Sequence, residues 1–303
     1  MILLSNRSVL GCALRSMAAA ACLAVVLAAP AIAQSNRWQD VAQALGKSGT
    51  EMPGGVYRIG LPRSDLKVTL DGVVLKPSLA LGSWLGFAPM GNQTMVMGDL
   101  VLTETEISPV MKKLEQGNIQ ITAIHNHLLR AKPATLYMHI YGQGDAVALA
   151  RALHDAIALS KTPLTAPPAA APKLDLDTAA IDRSLAGEGR INGGVYQVSI
   201  PRAEPVTESG MPVPAALGSA IAINFQPTGK GKAAITGDFV LTAAEVNPVL
   251  RELREHGIEV TALHNHMLND EPRLFFMHFW ANDDLGKLLD GLHAALARIA
   301  LTK

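Results

Sequence analysis

The sequence predicts an α+β protein of two homologous domains, each a mixed or antiparallel sheet with helices packed on one face. Three observations carry that prediction. The chain repeats itself once, with matched residues 139 positions apart (Gly54 and Gly193, for example). Strand-like alternation and helix-like spacing follow one another in each copy in the order β-α-β-β-α, which is a sheet-plus-helix pattern and not a parallel βαβ series. A stretch rich in proline and alanine separates the copies, and 303 residues suit two domains of ordinary size.

The repeat is read residue by residue. Gly54-Gly55-Val56-Tyr57 returns as Gly193-Gly194-Val195-Tyr196, and Pro62-Arg63 as Pro201-Arg202. Gly98-Asp99, Val101-Leu102-Thr103 and Glu106 return as Gly237-Asp238, Val240-Leu241-Thr242 and Glu245. His125-Asn126-His127 returns as His264-Asn265-His266, and Pro133, His139 and His154 as Pro272, His278 and His293. The offset slips only between about residues 64 and 95, so the copies differ in length there. The expected organisation is a signal peptide over 1–33, a first domain over 36–160, a linker over 161–173 and a second domain over 174–303.

In the first copy a short helix opens the domain, with Trp38, Val41, Ala42 and Leu45 on one side. Strands are expected around Gly55–Leu61, Val68–Leu75, Leu81–Phe87 and Val96–Leu102. Thr103 and Glu106 then form the Ser/Thr-x-x-Glu capping box of a helix running to about Gln116, and Thr242 and Glu245 repeat it. Gly117-Asn118 and Gly257 suit the left-handed residues that end such helices. Ile119–Leu128 is expected as one strand running through the histidines. A turn near Ala131–Pro133 leads to a strand over Thr135–Tyr141, and Asp145–Ser160 is the last helix, packing through Val147, Ala150, Leu153 and Ile157.

Residues 1–33 have the form of a secretory signal: Arg7 and Arg15 near the start, an apolar run from Met17 to Pro30, and Ala31-Ile32-Ala33 as a small-x-small cleavage site. The run falls short of the roughly 20 residues of a membrane span, so no integral span is expected after cleavage and the mature chain is expected in the periplasm or outside the cell. Both cysteines, Cys12 and Cys22, lie in that segment. The mature chain is therefore expected to hold no disulfide and no thiolate ligand. Formal net charge is zero, which argues against nucleic acid as a partner, since phosphate binding needs a basic face.

The chemistry concentrates in histidine. Eight of the nine histidines fall in four repeat-matched pairs, and only His256 is unmatched. His125 and His127 alternate with Asn126 and so share a strand face. A hairpin turning near Pro133 places His139 opposite His127. Three imidazoles then converge, and the second copy does the same with His264, His266 and His278. Three histidines with an open fourth position are a recurrent zinc arrangement; copper and nickel also take imidazole. Asp99 and Asp238 are candidates for a catalytic general base or a ligand, and equally for capping local amides. Glu106 and Glu245 are explained by helix capping. His154 and His293 flank the apolar stripe of the last helix and could be further ligands, second partners of the site, or boundary residues with one hydrogen bond. Met138 and Met277 point away from the histidine face and suit the core.

The passage Gly237–Leu250 (Gly-Asp-Phe-Val-Leu-Thr-Ala-Ala-Glu-Val-Asn-Pro-Val-Leu), followed by Val260–Leu268 (Val-Thr-Ala-Leu-His-Asn-His-Met-Leu), resembles the LppY/LpqO family of exported bacterial proteins. Its first-copy counterpart through His125-Asn126-His127 does so too, and the likeness spans essentially the whole mature chain. The resemblance implies export and the domain unit, and it carries no activity. The family takes its name from lipoproteins, but no good lipid-attachment sequence surrounds Cys22. The functional expectation is an exported metal-binding protein with one three-histidine site per copy, zinc first, which could hydrolyse envelope material through a metal-activated water. The alternative is a non-catalytic module binding a cell-envelope polymer, such as peptidoglycan or a glycan, or a small ligand.

Overall fold

The protein is described here by a computed structural model that places residues 38–165 and 174–302. The signal segment and linker residues 166–173 lie outside the described residues. The first domain contains α1 (38–45), β1 (Thr50–Met52), β2 (Val56–Pro62), β3 (Thr69–Leu70), β4 (Val73–Val74), α2 (Pro77–Ala80), β5 (Gly82–Met90), β6 (Gln93–Leu102), α3 (Glu104–Gln116), β7 (Gln120–His125), β8 (Leu136–Gly144) and α4 (Ala146–Ile157). The second contains α5 (Thr178–Leu185), β9 (Arg190–Asn192), β10 (Val195–Pro201), β11 (Thr207–Glu208), β12 (Met211–Pro212), β13 (Ala220–Gly229), β14 (Lys232–Thr242), α6 (Ala243–Glu255), β15 (Glu259–His264), β16 (Asp270–Glu271), β17 (Leu274–Asp284) and α7 (Leu285–Leu296).

Each domain is built on an antiparallel six-stranded sheet, in the order β1-β2-β5-β6-β8-β7 and, in the second copy, β9-β10-β13-β14-β17-β15. The α+β reading with two like halves holds. Alternation along the strands sorts the side chains. Ile59, Leu61, Leu85, Phe87, Leu100, Met138 and Ile140 pack under α1, α3 and α4 in one apolar core. Met138 and Met277 sit there, on the helix side, fully buried. Gly98 faces this side because a Cβ would stand 2.7 Å from the Trp84 carbonyl oxygen. That close approach explains the repeated Gly-Asp pair.

The helices start where capping chemistry demands. The Glu106 carboxylate accepts the Thr103 N–H at 2.8 Å, and Glu245 accepts that of Thr242 at 2.7 Å. Asp145 opens α4 by accepting from the Val147 and Ala148 amides at 3.1 and 2.9 Å. The same glutamates meet the repeated arginines. Arg63, with no exposed surface, donates to Glu106 at 2.8 and 3.2 Å and to the Val101 carbonyl at 2.7 Å. Arg202 makes the same set with Glu245 and Val240. Burial pushes the Glu106 carboxyl up, but the Arg63 and Thr103 hydrogen bonds outweigh it and hold the group at about 2. The Pro-Arg repeat therefore pins the end of β2 to α3 and the end of β10 to α6.

Two expectations in the first copy change, and one strand is added. Val68–Leu75 is not a strand of the sheet. It is a small hairpin of β3 and β4, because Asp71-Gly72 takes positive φ at both positions (47° and 82°) and turns the chain. The expected strand Ile119–Leu128 stops at His125, leaving His127 in the following loop. β1, a short edge strand, had no alternating pattern long enough to announce it.

Where the repeat offset slips, the chain forms an arm, and the two arms are exchanged. Residues 64–81 stay tied to the first domain through the Thr69–Lys132 bridge and the Tyr137 hydroxyl on the Ala80 carbonyl, and they also cover part of the inner face of the second sheet. Asn224 donates to the Leu79 carbonyl at 3.1 Å, Gln226 to that of Val74 at 2.8 Å and Gln197 to that of Ser78 at 2.8 Å, while the Lys76 amide donates to Gln226. Leu75 and Leu79 share an apolar cluster with Ala234 and Trp280. In return, the second domain's arm lays Leu217 against Gly86 and Gly218 against Trp84, and Arg58 donates to the Ala216 carbonyl. A side chain at Gly86 would collide with Leu217. Between the arms, the inner faces of the two sheets meet directly.

The Arg63–Glu106 pair generates the first prediction. Arg63→Met leaves Glu106 buried without its partner and should cost about 3–5 kcal/mol in urea unfolding. A loss under about 1 kcal/mol would show that the pair does not anchor the domain.

Candidate metal centre

The six predicted histidines gather there, between the two sheets. His125 ends β7 and His264 ends β15; their rings stack across the domain boundary with centroids 3.5 Å apart. His127 stacks on His278 at 3.6 Å, and His139 on His266 at 3.6 Å. The three histidines of each domain lie together, and the two sets abut, which the sequence left open. The pairing also differs from the predicted hairpin. A bulge between Ile121 and Ala123 sets Ala123, not His127, opposite His139. His125 still shares a face with His139, two residues along from Ala123, and the loop after β7 brings His127 back beside them. The Thr261 hydroxyl helps hold that loop by donating to the His127 carbonyl.

Asp99 and Asp238 belong to the same cluster. Asp99 lies within β6, directly opposite His139 on β8, and Asp238 lies opposite His278. Neither caps a helix: β6 runs on to Leu102 before α3 begins. Asp99 Oδ1 is 3.8 Å from His139 Nε2 and Oδ2 is 3.9 Å from His127 Nε2. Asp238 stands 3.8 Å from His266 Nε2 and 3.8 Å from His278 Nδ1. These separations are too long for hydrogen bonds.

The electrostatics follow from burial. His139, His266 and His278 are 6%, 8% and 1% exposed. Burial, helped by the neighbouring rings, holds His127, His139, His266 and His278 well below the ordinary imidazole value. Burial and His264 bring His125 down to about 3, and burial brings His264 to about 4. The rings are therefore neutral at physiological pH and each keeps a lone pair. Burial pushes Asp99 up to about 8 against the pull of Arg58, and burial together with Asp99 pushes Asp238 well up. All six histidine Nε2 atoms and one oxygen each of Asp99 and Asp238 are buried without a hydrogen-bond partner. The other ring nitrogen is spoken for in His278, whose Nδ1 bonds the Gly237 carbonyl at 2.8 Å.

The donor atoms fall into groups that could hold a metal ion. The ring nitrogens of His125, His127 and His139 lie within 4.8 Å of one another, and so do those of His125, His264, His266 and His278. Aromatic walls that the sequence reading missed close the cluster: Tyr137 stacks on His127 at 3.4 Å and Phe276 on His266 at 3.6 Å. Their signal was their spacing, two residues before the third histidine and so on the same strand face. A cavity of ≈ 10 Å³, room for about one water, adjoins His139 and His266 and is lined also by Trp84, Met97, Thr122 and Phe276.

His154 and His293 take no part. Each bonds through Nδ1 to a carbonyl at the end of the domain's opening helix, Leu45 and Ser184, at 2.9 Å. They join the last helix to the first. His256 bonds the Glu252 carbonyl of its own helix.

Two stretches of the chain, 39–159 and 179–298, match the profile of a family described as Domain of Unknown Function (DUF1259). The chain belongs to this family. It carries the DUF1259 domain twice in tandem, and each match contains one complete set of three histidines and the aspartate. No curated protein matches the chain. Among solved structures, a trimeric bacterial microcompartment shell protein, PduB, aligns at 12% identity over 83% of this chain and 90% of its own, with a TM-score of 0.22. EtuB from Clostridium kluyveri aligns at 12% identity over 83% and 89%, with a TM-score of 0.21. At those scores neither bears on what this DUF1259 protein does.

Among the described residues no helix is long and apolar enough to cross a membrane.

The buried rings generate a pH prediction for metal-stripped protein. A histidine whose pKa falls on folding is protonated first in the unfolded chain, so stability is lost as the pH drops below about 6.5. Asp99 and Asp238, raised on folding, work the other way and lose their contribution as the pH rises above the ordinary carboxylate range. Six rings outnumber two carboxyls. The thermal midpoint should therefore fall by several degrees from about pH 7 to about pH 5. A midpoint that holds or rises over that interval contradicts the burial of neutral rings.

Proposed function

We propose that this is an exported metal-binding protein whose ions are held between its two domains by His125, His127, His139, His264, His266 and His278, with Asp99 and Asp238 as carboxylate ligands. One observation carries the reading: buried, neutral imidazoles and carboxylates, from both copies, converge with their donor atoms unpartnered. Leaving so many buried polar atoms unsatisfied costs about 1–3 kcal/mol each. A cation removes that cost at every one of them at once, and it draws the carboxyls into their charged form. Imidazole with carboxylate suits zinc first, and copper or nickel as well. Export rests on the form of residues 1–33, and the likeness to LppY/LpqO proteins agrees with it.

Burial weighs on the choice between enzyme and binder. Asp99 and Asp238 sit in the ligand shell rather than beside an open groove, and the adjoining cavity has room for about one water. A peptidoglycan or glycan strand would meet only the partly exposed edges of His125, His127 and His264, whose Nε2 atoms are covered. Metal holding, with at most a water-sized ligand beside the ions, is the function this geometry supports. Hydrolysis or binding of a polymer at this centre is not carried forward.

The test is metal content, by plasma mass spectrometry, of the processed chain purified without a histidine tag. Bound transition metal is expected, and the His127→Ala/His266→Ala double variant should lose most of it while keeping its circular dichroism spectrum. Protein free of metal that takes up none of zinc, copper or nickel on titration sinks the proposal.

A further inference from the structure

The metal-binding reading leaves open how many ions the centre takes and how they lie. We propose that it is dinuclear: two transition-metal ions side by side between the sheets, each in a four-coordinate set of three imidazoles and one carboxylate. This rests on the metal-binding reading and adds number and placement to it.

The donors divide in two rather than forming one shell. Those lying within 4.8 Å of one another make one group of His125, His127 and His139 and another of His125, His264, His266 and His278. No group contains all six. Asp99 stands beside the first, its oxygens 3.9 and 3.8 Å from Nε2 of His127 and His139, and Asp238 stands beside the second, 3.8 Å from His266 Nε2. Six imidazoles and two carboxylates make eight ligands, the complement of two four-coordinate ions. With bonds of about 2.0–2.2 Å, two ligands of one ion stand roughly 3.3 Å apart at the tetrahedral angle and up to about 4 Å apart when opposite. The three aspartate separations to free Nε2 atoms, those of His127, His139 and His266, fall in that range and outside hydrogen-bonding range.

The ring stacking fixes how close the two sets are. Each imidazole of one copy faces one of the other with centroids 3.5–3.6 Å apart. The two sets are therefore separated by about one ring thickness. An ion in each falls near the roughly 3.5–4 Å spacing of two-metal centres. His125 is within reach of both groups, so no wall of protein divides them. Duplication of the domain thus supplied the second half of one centre and not a second independent site.

The experiment uses the full processed chain, stripped of metal and titrated with cupric sulfate. Metal uptake should saturate at about two ions per chain, and the saturated protein should show a coupled-spin paramagnetic resonance spectrum, broadened and with a half-field line. Two ions giving the summed spectrum of isolated cupric sites, or saturation at a single ion, overturns the dinuclear centre while leaving metal binding intact. No uptake at all overturns both.

Discussion

Six imidazole nitrogens and one oxygen each of two aspartates lie buried between two sheets without a partner, and among the described residues they make up most of the buried polar side-chain atoms left so. Each is held by an element that has other reasons to be where it is. His125 and His264 end edge strands, His139 and His278 lie mid-strand next to the aspartates, and His127 and His266 are fixed by loops and by an aromatic ring behind each. The arrangement makes sense as a set of ligands. It makes none as a core, where apolar residues would fill the same space at no electrostatic cost.

The rest of the architecture serves to keep the two inner faces in register. Exchanged arms place each domain's extra segment on the other's sheet, with side-chain amides of Gln197, Asn224 and Gln226 reading the first arm's backbone. On the opposite side Arg58 lies over the Trp84 ring, 3.9 Å from its centroid, and donates to the second arm. Outside the centre, Arg130 bridges Asp71 of its own arm and Glu259 on β15. Neither domain's inner face could stand in water alone. The buried Arg63–Glu106 and Arg202–Glu245 pairs, by contrast, work within each domain, tying sheet to helix.

Much of this was legible in the sequence because repetition exposes it. The 139-residue offset, the capping boxes, the helix-facing methionines and the three-histidine sets all follow from residue type and period. What was not legible depended on distances no local pattern carries. Whether the two histidine sets meet is decided by the arms, whose sequences are the part that fails to repeat. Asp99 read as a local cap because its strand was expected to end near a helix; its pairing with His139 on β8 removes it from that role. β7 is bulged between Ile121 and Ala123 and stops at His125, and hydrophobic alternation reveals neither. The signal peptide and the linker from 166 to 173 remain expectations of the sequence.

The account stands on ions bound by both domains at once, and anomalous diffraction tests that most directly. Crystals of the processed chain grown with zinc should show anomalous peaks between β7 and β15, about 2.0–2.1 Å from imidazole nitrogens of both copies. Peaks confined to surface residues, or to donors of one domain alone, would contradict it.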